Sequence, residues 1–249
     1  MAASGFQSEI GSTDGEHIYV RGKDLVQDLM GKATFSEMAF LTIMGRLPND
    51  RETKVLDCVL VSLVDHGITP SVAAARITYA NAPEAIQGAV AAGLLGAGSM
   101  TLGTMENCGR MLCELEAFLD EDMSQDANIR AWLKDYIASG RRLPGFGHAV
   151  HSAVDPRATQ VLQVAQQHGF GGGFVKLLKS VERETTDVIG KHLPINVTGA
   201  IAATLLEMGI EWQILRGFAL ISRTAGLVAH IREERQAPIA PDFRKLLRE

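Results

Sequence analysis

The stretch Leu143-Pro-Gly-Phe-Gly-His-Ala-Val-His-Ser-Ala-Val-Asp-Pro-Arg157 concentrates groups that bind ligands and transfer protons in one short, turn-rich passage. Gly145 and Gly147 allow backbone amides to approach a ligand closely. His148 can transfer a proton near neutral pH, and Arg157 presents a planar guanidinium that matches a carboxylate. A purely structural loop needs none of these groups, so the passage predicts an active-site loop.

The pattern Pro-Gly-x-Gly-His followed by Asp-Pro-Arg resembles the citrate synthase superfamily. It is most similar to the short members, the citryl-CoA lyases and the lyase module of ATP-citrate lyase. Other segments occur in the family's order and at compatible spacings, namely residues 20–25, 34–37, 45–48, 65–67, 88–103, 196–197 and 221–223. The resemblance therefore covers most of the chain and implies an all-α, citrate-synthase-like helical fold.

Hydrophobic periodicity independently predicts a mostly α-helical chain. Apolar residues recur at helical spacing in residues 35–44, 55–64, 129–137, 158–167 and 217–231, whereas alternation typical of a strand occurs only in residues 16–20. Glycine and proline predict breaks at residues 47–49, 67–70, 82–83, 140–147, 169–173 and 193–194. These breaks delimit helices joined by short loops.

The resemblance also implies a domain organisation. It predicts a large helical domain formed by residues 1–154 and 194–249, and a small mobile lobe formed by residues 155–193, with residues 169–173 as a candidate flexible turn. Closure of this lobe would exclude water and complete the site. Because family members build their sites with a neighbouring subunit, we expect a homodimer or a multiple of one.

Composition narrows the possible classes of function. The formal net charge of −5 argues against a nucleic-acid-binding surface, which normally carries a basic excess. The three cysteines cannot close into a disulfide framework and are predicted to be small buried hydrophobes in a reducing compartment. The N-terminus has no basic segment followed by an apolar run, so we expect no signal peptide and a cytoplasmic protein.

Residues 85–105 carry no charge and are about as long as a bilayer-spanning helix. Their glycines and small polar residues leave too few large apolar side chains for good insertion into a membrane. Small residues instead allow close helix contacts, so this stretch predicts a buried helix at a tight helix or subunit contact.

In the family, a carbon–carbon bond forms or breaks beside a CoA thioester through an enolate, whose charge must be stabilised and whose protons must be transferred. The resemblance implies that His148 polarises the substrate oxygen in synthesis and accepts its proton in cleavage. It implies that CoA, bound as a thioester substrate, is wrapped by the loop Leu143, Pro144, Gly145, Phe146 and Gly147. Arg141, Arg142, Lys191 and His192 could meet the CoA phosphates or be solvated surface charges.

Three further side chains match family groups that bind the organic acid. Arg157 and Arg223 match the arginines that hold its carboxylates, and His66 matches a substrate-binding histidine. The alternative for His66 is a histidine that meets the C-terminus of a helix. Arg223 interrupts an apolar run, and a buried cation needs an anionic partner, either a protein carboxylate or a ligand.

A metal site is not expected. His148 and His151 are three residues apart and could form a metal pair, but no third or fourth ligand accompanies them at a recognisable spacing.

Several positions depart from the family pattern. Ser99 stands where citrate synthases carry an enolate-stabilising histidine, which the lyase module of ATP-citrate lyase also lacks, so this departure favours a lyase. Thr198 stands where family enzymes carry the aspartate that acts as base at the thioester α-carbon, and a hydroxyl is far too weakly acidic to replace it. The Arg-Pro that the family lends to a neighbouring subunit is also missing, with Arg235 as a possible substitute.

Two hypotheses follow. In the first, the protein is a citryl-CoA lyase-like enzyme that cleaves a 3-hydroxyacyl-CoA of an organic acid to an acyl-CoA and an oxo acid, or joins them. Water, Ser99, Thr198 or a carboxylate such as Glu106 would then manage the enolate proton. In the second, it is a non-catalytic relative that binds CoA or a carboxylic acid in a regulatory role. The enzyme is favoured, because a silent relative has little reason to retain the acid-binding groups together with His148.

Overall fold

The structure is a computed structural model and describes residues 8–119, 124–147 and 154–246. It confirms the predicted all-α class: within these ranges the chain forms α-helices and one small sheet of three short strands. The chain forms two compact units, one ending at Asp57 and the other beginning at Cys58.

The first unit contains the sheet and the first helix. Antiparallel strands β1 (Gly11–Thr13), β2 (Ile18–Val20) and β3 (Lys23–Asp24) pair in that order. A π-helical turn and helix α1 (Phe35–Met44) follow, and α1 begins with a capping box in which Thr34 and Glu37 satisfy each other's backbone amides. Helix α2 (Asp50–Leu63) begins in this unit.

The second unit, in its described residues, forms helices joined by loops, with one isolated β-bridge between Phe146 and Ile195. Its helices are α3 (Pro70–Asn81), α4 (Ile86–Leu95), α5 (Gly103–Phe118), α6 (Gln125–Ala138), α7 (Pro156–Gln167), α8 (Gly173–Ile189), α9 (Val197–Glu207), α10 (Leu215–Gln236) and α11 (Ala240–Leu246). The glycine and proline breaks predicted for this part of the chain coincide with the ends of helices, and Pro70 and Gly173 are the first residues of α3 and α8. The predicted lobe, residues 155–193, corresponds to α7 and α8, and its motion stays a prediction.

Helix α9 lies at the centre of this unit and packs against α5, α7 and α8. Residues 199–206 are all buried, which is typical of a helix that is apolar on every side. The N-terminus of α9 is therefore held inside the protein, and residues around it can shape an interior site.

A second part of the core joins α3, α4 and α10. Val72, Ala75, Ala89, Leu227 and Ile231 form a buried apolar cluster there. Small residues were predicted to allow close helix contacts, and Gly93 of α4 makes such a contact. A Cβ added at Gly93 would lie 2.8 Å from the Leu227 methyl carbons. Close packing of α4 on α10 thus depends on the absence of a side chain.

The prediction of one buried helix over residues 85–105 was wrong in its extent. Helix α4 ends at Leu95, the chain turns, and α5 starts at Gly103. The Ser71 hydroxyl donates a hydrogen bond to the Gly93 carbonyl, which would otherwise accept from the next turn of a continuing helix. Leu95 is 85% exposed, so the end of α4 is not buried in the chain.

A buried charge network ties α3 to the C-terminal part of the chain. Arg76 is 2% exposed, and its Nε lies 2.6 Å from Glu234 Oε2, while its Nη1 lies 2.8 Å from Glu233 Oε2. Glu234 also accepts hydrogen bonds from the backbone amides of Ile239 and Ala240. Both buried charges are thus paired, as burial requires.

Among the described residues one helical segment, Trp212–Gln236, is long and apolar enough to cross a membrane by length and composition alone. Of its most apolar window, 44% is buried inside the protein. Leu227 and Ile231 of this segment pack on α3 and α4.

Candidate active site

The predicted acid-binding residues share one cavity of the second unit. This cavity, which we name the arginine cavity, has a volume of about 440 Å³ and is lined by His66, Arg157, Thr198 and Arg223. These residues come from the α2–α3 connection, α7, α9 and α10. Much of the remaining wall is apolar and includes Leu63, Pro70, Ala97, Met100, Leu102 and Val197.

Arg223 brings a buried positive charge to the arginine cavity. It is 6% exposed, and no described residue accepts a hydrogen bond from its buried Nε and Nη1. Burial lowers the pKa of Arg223 from its ordinary value, Asp65 raises it, and the positive Arg157 lowers it further. An arginine remains charged in proteins nonetheless, so this guanidinium is suited to an anionic ligand.

Arg157 is held at the cavity wall by Asp155, which is 1% exposed. Asp155 accepts hydrogen bonds from Arg157 Nε at 3.2 Å and Nη2 at 3.1 Å, and from the Val197 amide at 3.0 Å. Burial alone would raise the pKa of Asp155, but these hydrogen bonds outweigh it and hold the pKa below its ordinary value. One carboxylate thereby fixes Arg157 and ties α7 to α9.

The N-terminus of α9 is capped by Asn196. Its Oδ1 accepts from the Thr198 amide at 3.1 Å and the Gly199 amide at 3.2 Å, and its Nδ2 donates to the Gly147 carbonyl at 2.8 Å. Because the Val197 amide is bonded to Asp155, the first amides of α9 already have protein acceptors. An anion in the arginine cavity would therefore be held by side chains and not by this helix end.

The Thr198 hydroxyl is also committed within the protein. It donates to Asn196 Oδ1 at 2.7 Å, and the Thr104 hydroxyl lies 3.3 Å away on its other side. Thr198 therefore offers an oxygen lone pair to the cavity and no carboxylate. Among the described residues that line this cavity there is no aspartate or glutamate.

A second cavity, which we name the loop cavity, adjoins the first and has a volume of about 640 Å³. All five residues of the predicted CoA loop, from Leu143 to Gly147, line it, together with Ser99, Arg141 and Arg142. Both cavities share Met100, Thr104, Gly147 and Asn196. A ligand in one cavity can thus be continuous with a ligand in the other.

Close backbone contacts hold the loop in place. Gly145 has a left-handed φ of 86°, and its carbonyl accepts from the Asn196 amide at 3.0 Å. A Cβ added at Gly145 would lie 2.4 Å from Cys108 Sγ, and one added at Gly199 would lie 2.3 Å from the Gly145 oxygen. Cys108 is buried, as predicted, and burial raises the pKa of its thiol. The loop therefore rests on α5 and α9 only because both glycines lack side chains.

Arginines give the loop cavity a positive side. Arg141 lies 3.8 Å over the Tyr136 ring and 3.0 Å from Glu114, so its guanidinium is held in place by two neighbours. Arg110 lies 5.9 Å over the Trp212 ring. A phosphate-bearing ligand would meet cations that are already positioned.

Comparison with known proteins identifies this arrangement. The sequence profile described as "Citrate synthase, C-terminal domain" matches residues 48–244. The chain belongs to the citrate synthase family.

Citrate synthase of Haloferax volcanii is 30% identical over 218 residues, which cover 86% of this chain and 55% of that protein. Citrate synthase of Acidithiobacillus ferridurans is 29% identical, with 83% and 52% covered. The chain thus spans about half the length of these family members.

Solved structures of similar fold include citryl-CoA lyase from Hydrogenobacter thermophilus, with a TM-score of 0.84, 34% identity and coverage of 93% of this chain and 87% of that chain. A mutant ATP citrate lyase of Methanosaeta concilii, solved in complex with (3S)-citryl-CoA, has a TM-score of 0.79 and 19% identity, covering 94% and 39%. The second likeness supports the citrate synthase fold alone.

The other predicted residues of this citrate synthase family member are not among the described residues that line the arginine cavity. His148 and His151 are outside the described residues, within which no three His, Cys, Asp or Glu side chains converge as metal ligands. Ser99 is exposed in the turn after α4, and it lines the loop cavity but not the arginine cavity. Glu106 pairs with Arg216 at 2.8 Å, and Arg235 is exposed on α10.

Sequence reasoning missed the polar face that α5 presents to the loop cavity. Thr104, Asn107 and Arg110 line it. Their spacing of three residues puts them on one side of the helix, which was the available signal. Asn196 served only as a marker of the family resemblance, although it contacts both the loop and Thr198.

Asp155→Asn should destabilise the protein by about 1–3 kcal/mol at pH 7, because the amide cannot accept from Arg157 as the carboxylate does. The native pKa lies below the unfolded value of about 4, so the carboxylate's stabilisation is complete above that value and lost as the pH falls through the native pKa. Urea unfolding between pH 3 and 8 should show a constant difference from the native protein above pH ~5 that shrinks below pH ~4. The exposed Asp135→Asn on α6 is the control; a difference independent of pH would contradict the assignment.

Gly199→Ala should cost about 1–3 kcal/mol, because the new methyl group overlaps the Gly145 carbonyl and must displace the loop. Gly217→Ala on α10, where the nearest atom would lie 3.9 Å from the added Cβ, should instead stabilise by about 0.5–1 kcal/mol. Urea unfolding measures both changes. Equal effects of the two substitutions would show that the loop does not depend on Gly199.

Proposed function

We propose that the protein is a citryl-CoA lyase-like enzyme that cleaves a 3-hydroxyacyl-CoA of an organic acid to an acyl-CoA and an oxo acid, or catalyses the reverse. The observation that carries the proposal is the junction of the two cavities. Cationic acid-binding groups line one, the predicted CoA loop lines the other, and Thr104, Gly147 and Asn196 line both. Similarity to the Hydrogenobacter thermophilus citryl-CoA lyase, whose chain is mostly covered, supports a lyase.

The two halves of such a substrate match the two cavities. Carboxylates of the acid would pair with Arg223 and Arg157 and accept a hydrogen bond from His66. The adenine and phosphates of CoA would lie against residues 143–147 and the nearby arginines. The thioester would then cross the junction beside Thr104 and Asn196, which is where the scissile bond must lie.

Cleavage begins with loss of the substrate hydroxyl proton, for which the family resemblance assigns His148 as acceptor. The carbon–carbon bond then breaks, its electrons form the thioester enolate, and the oxygen that lost its proton becomes the carbonyl of the oxo acid. The enolate still needs a proton at its α-carbon. Because Thr198 donates its own proton to Asn196, water is the proposed proton source, and the hydroxide that it leaves takes the proton held by His148. Substrates whose α-carbon is already acidified fit the site best.

The second candidate function is regulatory: the protein would be a non-catalytic relative that binds CoA or a carboxylic acid. One observation favours it: among the described residues that line either cavity there is no carboxylate to replace the family's aspartate. Binding would then need the same arginines and loop, but no proton transfer.

A homodimer and a cytoplasmic location belong to the same proposal. Leu95 and Met100 at the turn after α4 are exposed apolar side chains, which suit contact with a second copy. Met100 also lines both cavities, so such a copy would lie beside the proposed site.

Purified protein incubated with citryl-CoA should yield acetyl-CoA and oxaloacetate, and citramalyl-CoA and related 3-hydroxyacyl-CoAs should be tested in parallel. Arg223→Lys should raise KM for the active substrate by about 10- to 100-fold, because the planar pairing with a carboxylate is lost. The exposed Arg232→Lys on the same helix is the matched control. Lack of product from every thioester, with CoA binding intact by calorimetry, would favour the regulatory relative.

Thr198→Asp should raise citryl-CoA cleavage by about 10- to 100-fold, since it supplies the missing carboxylate beside the thioester. Repulsion from Asn196 Oδ1, which now accepts the Thr198 proton, keeps the expected gain at the lower end of general acid–base effects. Thr198→Asn has a similar shape and no base, so it should bring no gain. An equal gain in both variants would contradict the proposed use of this position.

A further inference from the structure

Helix α10 carries three residues of one face toward the segment that holds His66. Arg223, Gly226 and His230 are three and four residues apart, so they lie above one another on the helix. Arg223 lines the arginine cavity, and the other two contact residues 64–65, directly before His66. One helix face thus meets both the acid-binding arginine and the backbone of the acid-binding histidine.

The segment before His66 is held against α10 by its backbone. The Ser222 hydroxyl donates to the Leu60 carbonyl near the end of α2. At Gly226 an added Cβ would lie 2.0 Å from the Val64 carbonyl oxygen, so only glycine permits this contact. The chain therefore leaves α2 in direct contact with α10.

Asp65 adds a side-chain contact at the same place. Its Oδ1 lies 2.7 Å from His230 Nε2, and its Oδ2 accepts from the Gly67 amide at 2.8 Å. Partial burial raises the pKa of Asp65, but the bonds from Gly67 and His230 outweigh it and keep the pKa below its ordinary value. Asp65 thus joins α10 to the residues on both sides of His66.

His230 also lies close to the α3–α10 charge network. Its side chain is 12% exposed, and its Nδ1 lies 3.3 Å from Glu233 Oε2, the oxygen that is bonded to the buried Arg76, although no hydrogen bond forms between Nδ1 and that oxygen. An isolated surface pair contributes little to stability. The Asp65–His230 pair is not isolated, because His230 links Asp65, the residue before His66, to the α3–α10 charge network.

We propose that the Asp65–His230 pair positions His66 in the arginine cavity, so that His230 is a positioning residue for the acid-binding site. The proposal rests on the proposed function for its effect on turnover, but not for its effect on the geometry of His66. Asp65 also attracts Arg223 electrostatically, so the same carboxylate is close to both acid-binding groups. Small displacements of positioned groups have large effects on reactions in such sites.

The test compares His230→Leu, which removes the donor to Asp65, with His230→Gln, whose side-chain amide replaces Nε2–H. The matched control is His168→Leu at the end of α7. Ring nitrogen–proton correlation spectra of histidine-labelled protein report the His66 imidazole directly, with His66→Gln used for its assignment. The His66 signals should move in His230→Leu and return toward the native positions in His230→Gln, while His168→Leu leaves them in place.

Kinetics give the second measurement. His230→Leu should raise KM by about 5- to 20-fold with kcat within about threefold, because binding of the acid is weakened in ground state and transition state alike. His230→Gln should restore most of the affinity. A general loss of folding would lower the active fraction and kcat but not shift KM selectively.

The outcomes separate the two proposals. Unmoved His66 signals in His230→Leu would overturn the positioning role, whatever the activity. Moved signals in a protein that turns over no thioester would support the positioning role and count against the proposed enzyme. If His230→Leu does not fold, Asp65→Asn serves instead: it weakens the same bond and should move the His66 signals, and unchanged signals would overturn the proposal.

Discussion

The buried carboxylate of Asp155 is the constraint on which the candidate site depends. It caps α7, pairs with Arg157 and accepts the Val197 amide, so one side chain joins two helices and one cavity wall. Its desolvation is unfavourable by itself, and hydrogen bonds from two backbone amides and the Arg157 guanidinium offset it. Because α9 is fixed in the core, the arginine that Asp155 ties to it is fixed too.

The same constraint determines how the cavity carries charge. Helix N-termini commonly bind anions through free amides. Here Asp155 and Asn196 occupy those amides, and the positive charge of the cavity comes from guanidinium groups instead. A guanidinium keeps its charge over the whole physiological range, so pairing with an acid would depend on the ligand's ionisation rather than on that of the arginines.

Periodicity acts over a few residues, and it predicted stretches of α1, α2, α6, α7 and α10, whereas α3, α8, α9 and α11 were not predicted individually. The Thr34 capping box and the predicted stretch 35–44 coincide with α1. The end of α4 within residues 85–105 was not predicted from that stretch alone, because the Gly93 carbonyl accepts its hydrogen bond from Ser71, which lies outside the stretch.

The family resemblance predicted one role for His66, Arg157 and Arg223, and the structure places all three in one cavity. The contacts that hold these residues in place were not predictable from the sequence. The contact of Gly145 with Gly199 and the pairing of Asp65 with His230 join residues far apart in the chain, and each depends on tertiary packing.

The two cavities have largely separate walls among the described residues and share Met100, Thr104, Gly147 and Asn196. Substitutions at Leu63, Ala97 or Leu102 would reshape only the arginine cavity, while the face of α5 and residues 143–146 would remain as they are. Under the proposed function, such a division would allow selection to change the organic acid without loss of affinity for CoA. A few apolar replacements would then be a route from one acid to another.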